Sequence, residues 1–159
     1  MQVVVGMSDM RVSNDTKDIL ITYSLGSCIG ITVYDPIAGV GGILHFMLPD
    51  SSLDRAKALK NPFIFADTGI PALFQAAYGL GAKKGRLKVV IAGGANILDP
   101  KDFFQIGKKN YAAAKRLFEK NRLSPDFEDV GGDVNRTVSL MINTGSTIIK
   151  TPGGTERRV

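Results

Sequence analysis

Short alternating runs of apolar and polar residues fill the first third of the chain, a pattern typical of β-strands. Strands are predicted at residues 2–6, 18–23, 28–34 and 40–48, where β-branched residues are frequent. The segment Asp9–Ser13 has a similar pattern and could pair with the first of these strands. The proline and glycine of the sequence DPIAG favour a hairpin turn between the third and the fourth.

Two longer segments have apolar residues at helical spacing. The first covers residues 64–80 and is ended by Gly79 and Gly81, and the second covers Ile106–Lys120. Residues 49–62, between the hairpin and the first helix, are predicted to form a polar loop.

The remaining strands are predicted around and after the second helix. A buried strand at residues 87–92 is followed by a tight Gly93-Gly94 turn. Closing strands are predicted at residues 127–130, 138–143 and 147–150. Together the elements predict a mixed α/β fold with mostly antiparallel strands and two main helices.

Composition limits the class of protein. With 159 residues, 44% of them hydrophobic, the chain fits one globular domain, residues 1–159, with a flexible tail expected at residues 153–159. The net charge of +5 is scattered, and no basic stripe with interleaved aromatic residues indicates nucleic-acid binding. The sequence has no long apolar run and no signal-peptide pattern, so we expect no membrane insertion. A single cysteine favours a reducing, cytoplasmic location.

The single cysteine and the single histidine, Cys28 and His45, both fall within the predicted hairpin. If residues 35–38 form its loop, Tyr34 pairs with Gly39, and Cys28 lies directly opposite His45. Directly opposed Cβ atoms are about 4.5–5.5 Å apart, so a thiol and an imidazole at these positions could share a proton.

This register also separates the side chains of the hairpin into two faces. One is a core face with Ile29, Ile31, Val33, Val40, Leu44, Phe46 and Leu48. The opposite face carries Cys28, Gly30, Thr32, Gly41, Ile43 and His45. We expect the glycines of this second face to leave space beside the cysteine, so that a partner helix could approach closely.

The pair suits nucleophilic catalysis, because an imidazole can take the proton of a thiol and form a reactive ion pair. The same imidazole can then protonate a leaving amine. Thr22, on the preceding strand, could hold the ring through its hydroxyl or its backbone carbonyl. Gly26 and Ser27 could present a backbone N–H to a developing oxyanion at the rim of the site.

Simpler interpretations stay open from the pair alone. A lone cysteine is commonly a small buried hydrophobic residue, and a lone histidine on a strand is commonly a hydrogen-bonded core or surface residue. A structural zinc site is not expected, because one cysteine and one histidine fall short of its four ligands. We therefore expect neither a metal nor a cofactor.

Two segments carry a more specific signal: TYSLGSC at residues 22–28 and HFMLP at residues 45–49. Both resemble the active-site segments of the CheD family, the chemoreceptor glutamine deamidases. Further matches follow in order along nearly the whole chain: Ala66-Asp67, Gly93-Gly94-Ala95, Ile106-Gly107 with Asn110, and Asp129-Val130-Gly131-Gly132 with Arg136.

The resemblance implies a three-layer α/β/β sandwich. It implies Cys28 as the nucleophile, His45 as the general base and Thr22 as the residue that orients the histidine. Members of the family hydrolyse glutamine side chains of methyl-accepting chemotaxis receptors to glutamates, which can then be methylated during adaptation. Many also bind a CheC-type phosphatase, which docks over the active site.

Two other functions share these features. The same fold could act mainly as a docking partner that regulates a CheC-type phosphatase, with slow deamidation or none. A cysteine protease or a transglutaminase would use the same dyad, but the small size of the chain and the lack of a substrate-cleft domain argue against both.

Overall fold

The computed structural model describes residues 1–97, 101 and 103–159, and these residues form two five-stranded sheets and three α-helices. In the first sheet the neighbouring strands are β1 (Gln2–Val4), β3 (Ile19–Leu25), β8 (Arg136–Met141), β9 (Thr147–Lys150) and β10 (Glu156–Arg158). In the second they are β2 (Asp9–Ser13), β5 (Val40–Phe46), β4 (Ile29–Asp35), β6 (Lys88–Gly93) and β7 (Phe127–Val130). The helices are α1 (Arg55–Lys60), α2 (Ala66–Gly79) and α3 (Ile106–Lys120).

The second sheet lies between the first sheet and the helices. On its outer face, Ile31 and Leu44 share a hydrophobic cluster with Leu73 of α2 and Phe118 of α3. On its inner face, other clusters join it to strands of the first sheet. Among the described strands, β1 with β3 and β6 with β7 pair in parallel, and the other neighbours are antiparallel. The three-layer α/β/β sandwich is therefore confirmed.

The hairpin of β4 and β5 is confirmed, but its predicted register is wrong by two residues. Ile29 pairs with Phe46, so Gly30 and not Cys28 lies directly opposite His45. A shift of two residues leaves each side chain on its own face of the sheet. For this reason the division of the hairpin into two faces is correct although the pairing was not.

Two segments lie differently from their sequence predictions. Asp9–Ser13 pairs with β5 and not with residues 2–6, because the chain between β1 and β2 passes from one sheet to the other. Part of the expected tail is ordered in the first sheet, where β10 pairs with β9. Thr147 and Val159 also exchange two backbone hydrogen bonds of 3.0 and 2.8 Å.

The polar loop predicted over residues 49–62 contains the short helix α1. The Asp54 side chain caps it by accepting a hydrogen bond from the Lys57 N–H at 3.0 Å. None of its residues is buried, so it has no apolar stripe that the sequence could have revealed. No helix among the described residues is long and apolar enough to cross a membrane.

Asp35, at the end of β4, anchors the hairpin turn. Its buried carboxylate accepts hydrogen bonds from the N–H groups of Ile37 and Ala38 at 2.8 and 3.0 Å. It also accepts one from the Lys83 N–H at 2.9 Å and forms an ion pair with Arg86 at 2.8 Å. Burial opposes ionisation of this carboxyl, but these donors outweigh it and hold the pKa of Asp35 well below its usual range.

We predict that Asp35→Asn lowers the free energy of unfolding by about 2–4 kcal/mol. The NH2 group of the amide would face the backbone N–H groups whose hydrogen bonds the carboxylate now accepts, and Arg86 would lose its negatively charged partner. Chemical denaturation followed by circular dichroism measures the change. Glu156→Gln is the control, since the exposed Lys150–Glu156 pair, 3.4 Å apart, should contribute about 0.5 kcal/mol or less. Equal effects of the two substitutions would contradict the anchoring role of Asp35.

Candidate active site

A buried contact between the two sheets joins Thr22 of β3 to His45 of β5. The Thr22 Oγ1 and His45 Nδ1 atoms are 2.7 Å apart, and both side chains are buried. Thr22 therefore meets the histidine through its hydroxyl, one of the two contacts that the sequence allowed. A hydrogen bond to one ring nitrogen fixes the orientation of the imidazole and influences which nitrogen carries the proton.

A β-bulge in β3 determines which side chains face the second sheet. Thr22 pairs with Val138 and Leu25 pairs with Arg136, so two residues of β3 oppose one of β8 between these pairs. Ser24, within the bulge, has a φ of 59°, in the left-handed region that residues other than glycine rarely adopt. The bulge turns both Thr22 and Leu25 inward, whereas a regular strand would place them on opposite faces.

The space expected beside the glycines of the hairpin is filled by the first sheet. A Cβ on Gly30 would lie 2.8 Å from Leu25 Cδ1, and a Cβ on Gly41 would lie 2.7 Å from Ile142 Cδ1. Both glycines therefore admit core side chains between the sheets. The predicted close approach of a partner helix at this face is wrong, because the first sheet already covers it.

Cys28 lies in the tight turn that carries the chain from β3 to β4, and it is 8% exposed. Two backbone bonds hold this turn to the segment after β6. The Gly94 N–H donates to the Cys28 carbonyl at 2.9 Å, and the Ala95 N–H donates to the Gly26 carbonyl at 2.8 Å. Gly93 has a φ of 114°, and a Cβ there would collide with the Cys28 carbonyl oxygen. The predicted Gly93-Gly94 turn thus allows close contact with the cysteine.

Cys28 lines a surface cavity of about 540 Å³. Gly26 and Ser27 line the cavity beside it, Lys108 lines it from the first turn of α3, and Phe104 contributes an apolar side chain. Among the described residues that line it, Cys28 is the one member of the predicted triad. The nucleophile candidate therefore faces the cavity, and the Thr22–His45 contact lies in the protein interior.

The second ring nitrogen of His45 makes no hydrogen bond to any described residue. Nε2 is buried and has no hydrogen-bond partner among the described residues, so no hydrogen bond joins it to Cys28. Cys28 shares a hydrophobic cluster between the two sheets with Leu25 of β3 and Val138 of β8. His45 contacts Thr22 of β3, so it also faces the first sheet. The thiol and the free nitrogen therefore belong to the same side of the sheet.

Burial keeps both candidate groups neutral. It raises the pKa of the Cys28 thiol, and the backbone N–H of the same residue opposes this only in part. It lowers the pKa of His45 from 6.5 to about 4. At neutral pH burial therefore favours a thiol and a neutral imidazole over an ion pair. A neutral imidazole with a free Nε2 is the form that can accept a proton.

The residues before the cysteine differ in what they offer an oxyanion. The Gly26 N–H donates to the Ser24 carbonyl at 3.0 Å and is therefore already engaged. The Cys28 N–H faces its own sulfur atom. Ser27 and Cys28 provide the next backbone N–H groups along the turn.

Asn110 was given no role from the sequence, and it lies beside the cysteine turn. Its side chain is fully buried, and Nδ2 donates to the Ser27 carbonyl at 2.9 Å and to the Met47 carbonyl at 2.8 Å. Gly107 and Ala114, three residues before and four after, are also buried. A polar residue on the inward stripe of an amphipathic helix was the signal that the sequence contained.

A family model described as CheD chemotactic sensory transduction matches residues 47–151 of the chain. This span begins after Thr22, Cys28 and His45, so the three candidate residues lie outside it. It includes Asn110 and most of the residues that line the cavity.

Curated relatives match over nearly the whole chain. A protein of Syntrophus aciditrophicus, named probable chemoreceptor glutamine deamidase CheD 1, is 54% identical over 99% of this chain and 98% of its own length. A protein of Solibacter usitatus with the name probable chemoreceptor glutamine deamidase CheD is 48% identical over 91% of this chain and 85% of its own length. A third, from Anaeromyxobacter dehalogenans, is 43% identical over 93% of both chains.

The fold is similar to that of a solved structure. The crystal structure of a Neisseria meningitidis protein of the DUF152 family matches with a TM-score of 0.50 and 9% sequence identity. The match covers 81% of this chain and 64% of the other. At this identity the likeness concerns the fold alone, and it supports the mixed α/β architecture.

We predict that acidification from pH 6.5 to pH 4 lowers the free energy of unfolding by up to about 3 kcal/mol through His45 alone. The pKa of His45 is near 6.5 in the unfolded chain and about 4 in the folded protein. Within this window the unfolded state binds more protons, so stability falls as the pH falls. Urea denaturation across the window measures the slope. His45→Gln cannot titrate and should show a shallower slope, and an equal slope in both proteins would refute the assignment.

Proposed function

The chain belongs to the CheD family, and we propose that it hydrolyses glutamine side chains of methyl-accepting chemotaxis receptors to glutamates. The names of its relatives, probable chemoreceptor glutamine deamidases, support this reaction and this substrate class. The observation that carries the proposal is the buried contact between Thr22 Oγ1 and His45 Nδ1, which leaves Nε2 free on the side of the single cysteine. An oriented neutral base beside a thiol is what amide hydrolysis by a cysteine requires.

In the first proposed step, His45 Nε2 accepts the thiol proton while Cys28 Sγ attacks the carbon of the glutamine carboxamide. A C–S bond forms and the carbonyl oxygen becomes an oxyanion, which the N–H groups of Ser27 and Cys28 stabilise. The imidazolium then gives its proton to the amide nitrogen, the C–N bond breaks and ammonia leaves. The product is a thioester between Cys28 and the substrate side chain.

In the second proposed step, water hydrolyses the thioester. His45 Nε2 accepts a proton from the water as its oxygen attacks the thioester carbon. The C–S bond breaks, and the imidazolium returns its proton to Cys28 Sγ. A glutamate side chain is released, and the thiol and the neutral imidazole are restored.

Burial favours proton transfer during the attack over an ion pair formed in advance. Desolvation raises the pKa of Cys28 and lowers that of His45 to about 4, so it penalises both charged forms in the resting site. Thr22 supports the transfer because its hydroxyl can accept a hydrogen bond from Nδ1–H in the neutral and in the charged ring. The proton then stays on Nδ1, and the Nε2 lone pair stays available to the thiol.

The rim of the cavity suits a glutamine carried on a protein surface. Phe103 and Phe104 are 79% and 62% exposed, with ring centroids 5.1 Å apart, and Met7, which lines the cavity, is 57% exposed. Exposed apolar groups around a cavity are typical of protein-binding surfaces.

We propose the cytoplasm as the location of this reaction, because a reducing compartment keeps a lone catalytic thiol active. Each turnover converts a neutral amide of the receptor into a carboxylate. That carboxylate is a substrate for methylation, so the reaction would support chemotactic adaptation.

A CheC-type phosphatase is the second partner that the family resemblance implies, and we expect it to bind at the same rim. A partner seated there would cover Cys28 and exclude a receptor side chain. The alternative in which the protein is only a docking partner has less support, because a docking surface needs neither a buried Thr22–His45 contact nor a free Nε2.

We predict that Cys28→Ala abolishes deamidation of a co-expressed receptor and leaves the fold intact. The variant lacks the only thiol that can attack the glutamine carboxamide. Mass spectrometry of receptor peptides measures the conversion, since each converted glutamine gains about one dalton. Thr22→Val should lower kcat by about 10- to 100-fold, a smaller loss, because the base remains but is less well oriented. Near wild-type deamidation by Cys28→Ala would end the thiol mechanism.

We predict that Phe103→Ser raises KM for a receptor fragment by about three- to tenfold with kcat nearly unchanged, because it removes binding area and no reacting group. Steady-state kinetics with the fragment measure both constants. Phe103 packs against Phe104, which lines the cavity. Leu59→Ser is the matched control, since Leu59 is 87% exposed and is not a lining residue. Similar KM values for both variants would exclude Phe103 from the docking surface.

A further inference from the structure

The pairing of β4 with β5 ends next to the cysteine. Its last pair is Ile29 with Phe46. Beyond it the two chains diverge, because the Met47 N–H donates at 2.9 Å to the segment before α2 and not to the cysteine turn. The end of the sheet therefore leaves backbone carbonyls beside Cys28 that strand pairing does not satisfy.

Asn110 occupies this end of the sheet. Its Nδ2 atom donates to the Ser27 carbonyl at 2.9 Å and to the Met47 carbonyl at 2.8 Å. Ser27 immediately precedes the proposed nucleophile, and Met47 follows the proposed base, His45, by two residues. One carboxamide thus joins the segment of the nucleophile to the segment of the base.

The bond to Ser27 has a further effect through the geometry of the peptide group. A trans peptide is planar, and its C=O and N–H bonds point in opposite directions. The Ser27 carbonyl and the Cys28 N–H belong to the same peptide. Because Asn110 holds the carbonyl on the α3 side, the N–H must point away from α3, where it faces Cys28 Sγ.

The position of Asn110 is itself fixed by close packing of α3. A Cβ on Gly107, one turn earlier, would collide with the Gly94 carbonyl oxygen and would lie 2.7 Å from that of Ala95. Gly94 and Ala95 are the residues whose N–H groups bond the cysteine turn. The helix, the turn after β6 and the cysteine turn therefore form one tightly packed unit.

The orientation of the carboxamide follows from its partners. Both are carbonyl oxygens, which only accept hydrogen bonds, so Nδ2 must face them. Oδ1 is then left buried without a partner among the described residues. Both hydrogens of Nδ2 are therefore used by the two segments that carry the proposed nucleophile and base.

We propose that Asn110 is a positioning residue that sets the direction of the Cys28 N–H, and with it the reactivity of the thiol and the donor offered to the oxyanion. The proposal rests on the thiol mechanism proposed above. Asn110 does not touch the reacting atoms and acts through the peptide between Ser27 and Cys28. Without its donors this peptide can rotate, and the Cys28 N–H is no longer aimed at the sulfur.

The test compares Asn110→Leu, which keeps the branched shape and removes both donors, with Asn110→Ala as a second variant should the larger leucine prevent folding. Thr147→Val is the control for lost stability. It removes a buried hydroxyl that contacts Thr32 Oγ1 at 2.9 Å between the sheets and lies outside the cavity lining. For each folded protein, kcat and KM are measured with a receptor fragment, and the rate of Cys28 alkylation by iodoacetamide is measured against pH.

The Asn110 variants should lose kcat by about 10- to 100-fold while KM changes less than about threefold, as expected when an oxyanion donor is misdirected. Their alkylation profile should move to higher pH, and Thr147→Val should leave the profile in place. An unchanged profile, or an equal loss of kcat in Thr147→Val at matched Tm, overturns the proposal. Alkylation requires no receptor, so a wild-type protein that fails to deamidate would refute the proposed function and leave this test of Asn110 intact.

Discussion

The chain crosses from the first sheet to the second between Leu25 and Ile29, and this short crossing constrains the structure around it. Ser24 takes a left-handed conformation so that the strand can turn both Thr22 and Leu25 inward before the crossing. Gly93 must lack a Cβ because the Cys28 carbonyl lies against it. The candidate site is therefore built where two sheets and the start of α3 are forced into contact.

This arrangement places the reactive groups at different depths. Cys28 borders the cavity, whereas Thr22 and His45 are buried between the sheets. Low polarity keeps the imidazole neutral and ready to accept a proton, but it also makes the folded state intolerant of a charged histidine. The same burial therefore serves the chemistry at neutral pH and reduces stability in acid.

Local patterns in the sequence predicted every described strand except β10, the helix α3 and the two faces of the hairpin, because these depend on side-chain periodicity within one segment. The same patterns could not determine the register of the hairpin, since a shift of two residues leaves the alternation of apolar and polar positions unchanged. The hairpin loop was predicted one residue too early, because Asp35 still belongs to β4 and is held there by donors distant in the sequence. Burial of the second face and the contacts of Asn110 arise from segments far apart in the chain, so no local pattern could predict them.

The outer strand of the first sheet has a consequence for how copies of the protein meet one another. An edge strand offers unpaired backbone groups on which a second sheet can grow. Here β10 covers β9, which carries Ile148 and Ile149, and presents Glu156, Arg157 and Arg158, all of them exposed. A second sheet added at this edge would bury charged side chains, so ordered growth of one sheet onto another is hindered. Colloidal stability of the folded protein in a crowded solution thus depends on residues that take no part in its chemistry.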